Sequence, residues 1–182
     1  MYNSNYELAM SPIKKLVLSA MFLALGLVLP FLTGQIPEIG SMLLPMHIPV
    51  LLCGMIVGGP CGLAVGFICP LLRSFLFSMP PLYPAAISMA FELAAYGFVS
   101  GVFYQRLRNK GTAGIYISLI VAMLLGRIVW GVSRWIMMAF GTKFSIALFL
   151  AGGFTGAIPG MILQLILIPI ILIALRKAKL IA

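Results

Sequence analysis

Acidic side chains are nearly missing: the chain carries three Asp and Glu in total against twelve Lys and Arg, and it has one histidine. With so few carboxylates and a single imidazole, general acid–base and metal chemistry have almost no candidates. There is no P-loop, no HExxH, no GxSxG, no pair of intramembrane aspartates and no Cys–His constellation. Catalysis is therefore not expected, and no catalytic residue, metal ligand or cofactor held by this chain is assigned. Also missing are a row of carboxylates for proton or sodium coupling, a filter-like motif and a clear inverted repeat, so the chain is poorly equipped as a stand-alone pump. Cys53, Cys61 and Cys69 lie eight residues apart inside apolar stretches, with no CxxC pair, and read as packing residues.

What fills the chain instead is hydrocarbon. Of its 182 residues 63% are hydrophobic and 8% charged, and the mean hydropathy is +1.17, values far outside the range of soluble domains. A crossing helix needs roughly 20 apolar residues to span a ~30 Å hydrocarbon layer. The length thus accommodates one all-α integral membrane domain, a compact bundle of six transmembrane helices. Gly and Pro punctuation places them at about 16–33, 47–58, 60–77, 85–104, 112–140 and 145–175. The first apolar run follows Lys14 and Lys15 like a signal peptide, but no A-x-A cleavage site follows it, so it is expected to be retained.

The net charge of +9 reads as topology, not as nucleic-acid affinity. With both termini cytoplasmic, Lys14, Lys15, Arg106, Arg108, Lys110, Arg176, Lys177 and Lys179 lie inside, and Lys143 is the one loop cation left outside. The same count puts the 34–46 loop with Glu38, the segment 79–84 and the segment 141–144 on the outer face. Small residues recur at four-residue spacing, at Ala20 and Ala24, Gly54 and Gly58, Gly62 and Gly66, Gly97 and Gly101, and Gly156 and Gly160, where backbones in lipid can approach closely.

Four ionisable residues fall within the spans: Arg73, Glu92, Arg127 and Arg134. Each costs about 2.5–3.5 kcal/mol on insertion scales unless it is paired or faces water. At 1.5 Å per residue, Arg73, Glu92 and Arg127 all come to lie roughly 8–12 Å below the outer surface. Arg134, seven residues after Arg127, shares its helical face nearer the boundary. Two readings remain open: an internal ionic staple of three helices, or one outward-opening site whose surplus of two positive charges binds an anionic ligand through arginine forks. His47, between Pro45 and Pro49, stands at the rim as helix cap or as ligand contact. Tyr83, Tyr96, Trp130 and Trp135 supply aromatic surface there, with Tyr83 and Trp135 suited to an interfacial belt.

Over nearly its whole length the chain resembles the substrate-binding S components of energy-coupling factor (ECF) vitamin transporters. The resemblance is carried by Ala20 and Ala24 in "SAMFLALG", similar to the family's AxxxA on helix 1, and by "MHIPVLLCGMIVGGPCGLAVGFICPLLRSF" (46–75). It implies a subunit of the prokaryotic plasma membrane that captures a vitamin or related nutrient from outside and docks on a transmembrane coupling protein through Ala20 and Ala24. The subunit would then topple to release its cargo, while two separate ATPase subunits hydrolyse ATP; the 34–46 loop would be the gate. The substrate contacts would be Arg73, Glu92, Arg127, His47, Trp130, Tyr83 and Arg134. "MHIPV" is similar to members assigned to pantothenate, whose carboxylate would suit Arg73 and Arg127. "PLLRSFLFSMPPLYP" (70–84) departs from that group. The alternative is a non-transport membrane protein, an assembly factor or an intramembrane enzyme, whose buried charges are structural.

Overall fold

A computed structural model of the chain describes residues 10–33, 42–137 and 155–178, with the single positions 139, 145, 147 and 180. The expectations for Glu38, Lys143, Lys179 and most of the 34–46 loop lie outside the described residues.

Helix α1 (Pro12–Val28) opens one turn before the expected Leu16. Ser11 accepts a hydrogen bond from the Lys14 N–H at 3.3 Å, and Pro12 sits in the first turn, where its missing N–H costs nothing. The helix tightens into a 3-10 turn at Leu29–Thr33, around Pro30. Helices α2 (His47–Val57) and α3 (Gly59–Phe77) are separated by Gly58, whose φ of 127° is open to glycine and strained for other residues. Helix α3 runs through Pro70 and stops at Ser78, a left-handed residue that donates its N–H to the Ser74 carbonyl at 2.9 Å. A wide turn at Leu82–Ala86, with Tyr83 extended inside it, leads into α4 (Ile87–Leu107). Beyond the turn Arg108–Lys110 comes α5 (Gly111–Met137), and after the turn Thr155–Ala157 comes α6 (Ile158–Lys177). The described part of the last helix therefore begins at Ile158, well after Ser145.

Four runs are long and apolar enough to cross a bilayer: Pro12–Leu32, Gly59–Phe77, Leu82–Met137 and Ile158–Lys177. The third folds back on itself as α4 and α5. At eleven residues α2 rises only about 16 Å, half the thickness of the hydrocarbon layer. It is buried on nearly every side.

Side-chain contacts give the helix directions. Leu93 meets Gly66 and Gly97 meets Gly62, so α4 runs antiparallel to α3; Tyr96 meets Gly126 and Leu107 meets Gly114, so α5 runs back along α4. Helix α1 follows α3, from Gly26 against Cys69 to Phe31 against Phe77. Arg176 reaches Tyr104, so the end of α6 lies beside the end of α4. The start of α1, the α4–α5 turn and the end of α6 consequently share one end of the bundle. Lys14, Lys15, Arg106, Arg108, Lys110, Arg176 and Lys177 gather there.

Helix α4 is the central element, in contact with α2, α3 and α5. At Gly97 its backbone lies directly on the backbone of Gly62, leaving no room for a Cβ on either side. Such small-residue contacts bring helices together where lipid offers no hydrophobic drive. The apolar core comprises Leu51, Leu93, Tyr96, Leu119, Ile168 and Leu172 among others. Cys53, Cys61 and Cys69 are all free, the first and last of them buried within it.

Candidate functional site

Glu92 lies five residues into α4, about 8 Å along the helix from its start. Its Oε1 is 2.8 Å from Nη1 of Arg127 on α5 and 3.5 Å from Nε2 of His47, the first residue of α2. One turn further along α4, the ring of Tyr96 packs edge-on to the His47 imidazole with centroids 5.0 Å apart. Gly126, the residue before Arg127, makes room for that ring: a Cβ there would come within 2.5 Å of two of its carbons. His47, Glu92 and Arg127 are 1%, 2% and 3% exposed. The three-helix crossing thus holds a buried ionic and aromatic cluster.

Its hydrogen bonding is incomplete. Arg127 turns Nη1 to Glu92 and has the Tyr96 hydroxyl close beside its guanidinium, but its Nε and Nη2 make no hydrogen bond of good geometry among the described residues, and neither do Nδ1 and Nε2 of His47. Nε–H and Nη2–H form the side-on edge of the guanidinium, the edge that takes a carboxylate with two parallel bonds. Buried donors are nearly always satisfied in folded proteins, so these unpaired donors call for an explanation. Removing one member of a buried ion pair strands the other at a cost of about 3–5 kcal/mol.

Arg73 is elsewhere, and Arg134 lies beyond the ion pair but within electrostatic reach of Glu92. Arg73 donates from Nη1 to the carbonyl of Leu27 near the end of α1, and its guanidinium carbon lies 4.9 Å from the Phe31 centroid and 5.3 Å from that of Phe77. The reason is local to α1: in the 3-10 turn that follows, the residue three on from Leu27 is Pro30, which has no N–H to give. Arg134 sits over the Trp130 ring at 5.5 Å. The Tyr83 hydroxyl donates to the Met137 carbonyl at 3.2 Å, tying the turn before α4 to the end of α5. Of the residues singled out from sequence, the structure brings together His47, Glu92 and Arg127. It sets Arg73 and Tyr83 around other contacts, while Arg134, over the Trp130 ring, stays within electrostatic reach of Glu92. The surplus of two positive charges is divided between Arg73 and Arg134, each against aromatic rings.

One polar residue escaped the sequence reading. Gln164 is 0% exposed, and neither its Oε1 nor its Nε2 has a hydrogen-bond partner among the described residues. Leaving such an amide unpaired costs about 1–3 kcal/mol. The available signal was a lone amide in "IPGMILQLILIPIILIAL" (158–175), otherwise without a polar side chain. Among the described residues no group of His, Cys, Asp and Glu is placed to hold a metal ion.

No curated protein and no solved structure matches the chain. The family described as the ECF transporter, substrate-specific component, matches residues 14–172.

Proposed function

Because the chain belongs to the family of ECF transporter substrate-specific components, we propose that it captures a small carboxylate-bearing nutrient on the side-on fork of Arg127. Its family consists of multi-pass membrane binding subunits, not enzymes, that associate with an energising module whose separate ATPases hydrolyse ATP. Membership sets aside the alternative of a non-transport membrane protein.

The observation that carries the ligand chemistry is the free Nε and Nη2 edge of Arg127. Glu92 takes Nη1 and fixes the guanidinium plane, and the ligand carboxylate takes the other edge. His47, whose Nε2 faces Glu92 and whose Nδ1 is without a hydrogen-bond partner among the described residues, supplies a further donor or acceptor according to its tautomer. The bundle end holding the starts of α2 and α4 faces outward, since the basic end is cytoplasmic by the positive-inside bias. Among vitamin anions pantothenate is placed first, on the similarity of "MHIPV" (46–50) to members assigned to it. Delivery proceeds by docking of α1 on the coupling protein and toppling of the bundle. Ala20 and Ala24 are both exposed on α1, the least buried of the four crossing runs.

Titration calorimetry with pantothenate, biotin, lipoate, niacin and folate tests the site. Arg127→Met is expected to abolish measurable binding of whichever compound binds the native chain. Retained affinity with only a lowered Tm would make the cluster a staple and sink the assignment.

A further inference from the structure

Helix α6 packs against α2 and α5, two of the three helices that hold the cluster, and the function proposed above does not use it. Its first turn is pressed onto the chain leading into α2: a Cβ at Gly160 would lie 2.5 Å from the Met42 carbonyl oxygen and 2.9 Å from that of Leu43. Gln164 follows on the same face one turn later, about 6 Å further along α6. Ile168 and Leu172 continue that face and are wholly buried in the core shared with α2. Gln164 therefore enters the bundle about one turn below the Met42–Leu43 chain that leads into His47, on the side of α6 that meets α2 and α5.

Its amide is fully buried and both of its polar atoms are unpartnered. Packing does not call for it, since a side chain of the same length without polar atoms would fill the space at no desolvation cost. An acceptor and two donors kept in this position suit a partner that arrives from outside.

We propose that Gln164 is a specificity-determining ligand contact, and that the ligand joins a carboxylate held by Arg127 to an uncharged amide or hydroxyl group held by Gln164. The ligand class rests on the binding function inferred above. A site built around such a group discriminates strongly against analogues that lack it, because its own amide is then left unpaired.

Gln164→Met keeps the length and removes both polar atoms. In the ligand-free, detergent-solubilised protein the variant is expected to have a higher Tm than the native chain. By calorimetry it is expected to bind pantothenate, which carries a carboxylate, an amide and hydroxyls, about tenfold or more weakly. Lipoate, a carboxylate without amide or hydroxyl, is expected to change by less than about threefold. An unchanged or lowered Tm of the ligand-free variant overturns the proposal, because the amide then serves the fold. Equal losses for the two compounds, undiminished pantothenate binding, or native binding of lipoate without pantothenate overturns the ligand class. If none of the five compounds named above binds the native chain, the carboxylate site on Arg127 fails, and the ligand-free Tm still decides whether Gln164 is kept for a ligand.

Discussion

Arg73 and Arg127 are the same residue type, each buried to 3% exposure, and they do different things. Arg127 shares a carboxylate with His47 and leaves one fork edge free. Arg73 spends its charge on the Leu27 carbonyl and on the faces of Phe31 and Phe77, a set of contacts that clamps α3 to the exit of α1. A hydrogen bond from a charged donor is worth about 1.5–3 kcal/mol, and the aromatic faces add about 0.5–2 kcal/mol. Arg73→Met is therefore expected to lower Tm by several degrees while leaving ligand affinity within about threefold. Lost affinity at unchanged Tm would return Arg73 to the binding site. From sequence, depth alone grouped Arg73 with Glu92 and Arg127, because rise per residue is readable along a helix and rotation about its axis is not. Gln164 was missed for a related reason: a single amide on an apolar helix shows its cost only once burial and missing partners are known.

At the scale of elements, punctuation was legible and contact was not. Pro12, Gly58, Pro60 and Gly111 stand where α1, α3 and α5 begin or α2 ends, because proline suits a first helical turn and glycine a positive φ. The small residues at four-residue spacing were visible as stripes, but which stripes meet required the packed bundle. Gly97 on α4 faces Gly62 on α3 with backbone against backbone. A methyl group has nowhere to go there, and backbone cannot yield as a flexible side chain can. Gly97→Ala is expected to destabilise by about 1–3 kcal/mol or more, the cost of overpacking, read as a fall in Tm of the solubilised protein. Ala substitution at Gly111, whose φ is 61° but whose surroundings are open, serves as the comparison. A fall at Gly111 with none at Gly97 would show that backbone strain, and not helix contact, limits stability.

The whole molecule is polarised. One end carries the turns before α4 and the start of α2, with the ionic cluster about 8 Å beneath; the other carries the basic residues of α1, of the end of α4 and the turn after it, and of the end of α6. Along one side, α1 leaves Leu16, Val17, Met21, Leu25 and Val28 exposed, and the small side chains of Ala20 and Ala24 lie among them. In lipid this surface is at rest, and its small residues permit close approach of a partner helix. Replacement of both Ala20 and Ala24 by leucine is expected to abolish co-purification with the coupling protein while leaving ligand affinity intact, measured by pull-down and calorimetry on one preparation. Retained co-purification would remove α1 from the docking surface.

Composition and local pattern alone determined that this is an all-helical membrane protein without catalytic equipment, where proline and glycine punctuate it, and that its cations collect in a few segments. These properties follow from hydrocarbon thickness, from the chemistry of proline and glycine, and from the order of residues along the chain, none of which depends on a partner. Tertiary structure decided which charges meet. Glu92 chose Arg127 and His47 over Arg73 because the antiparallel contact of α4 with α5, and the short α2 beside them, turn those three side chains toward one point. Arg73, on the neighbouring α3, was turned toward α1, where Pro30 leaves a carbonyl to receive it. Azimuth is set by ridges, glycines and rings on facing helices, so it exists only once the helices are packed.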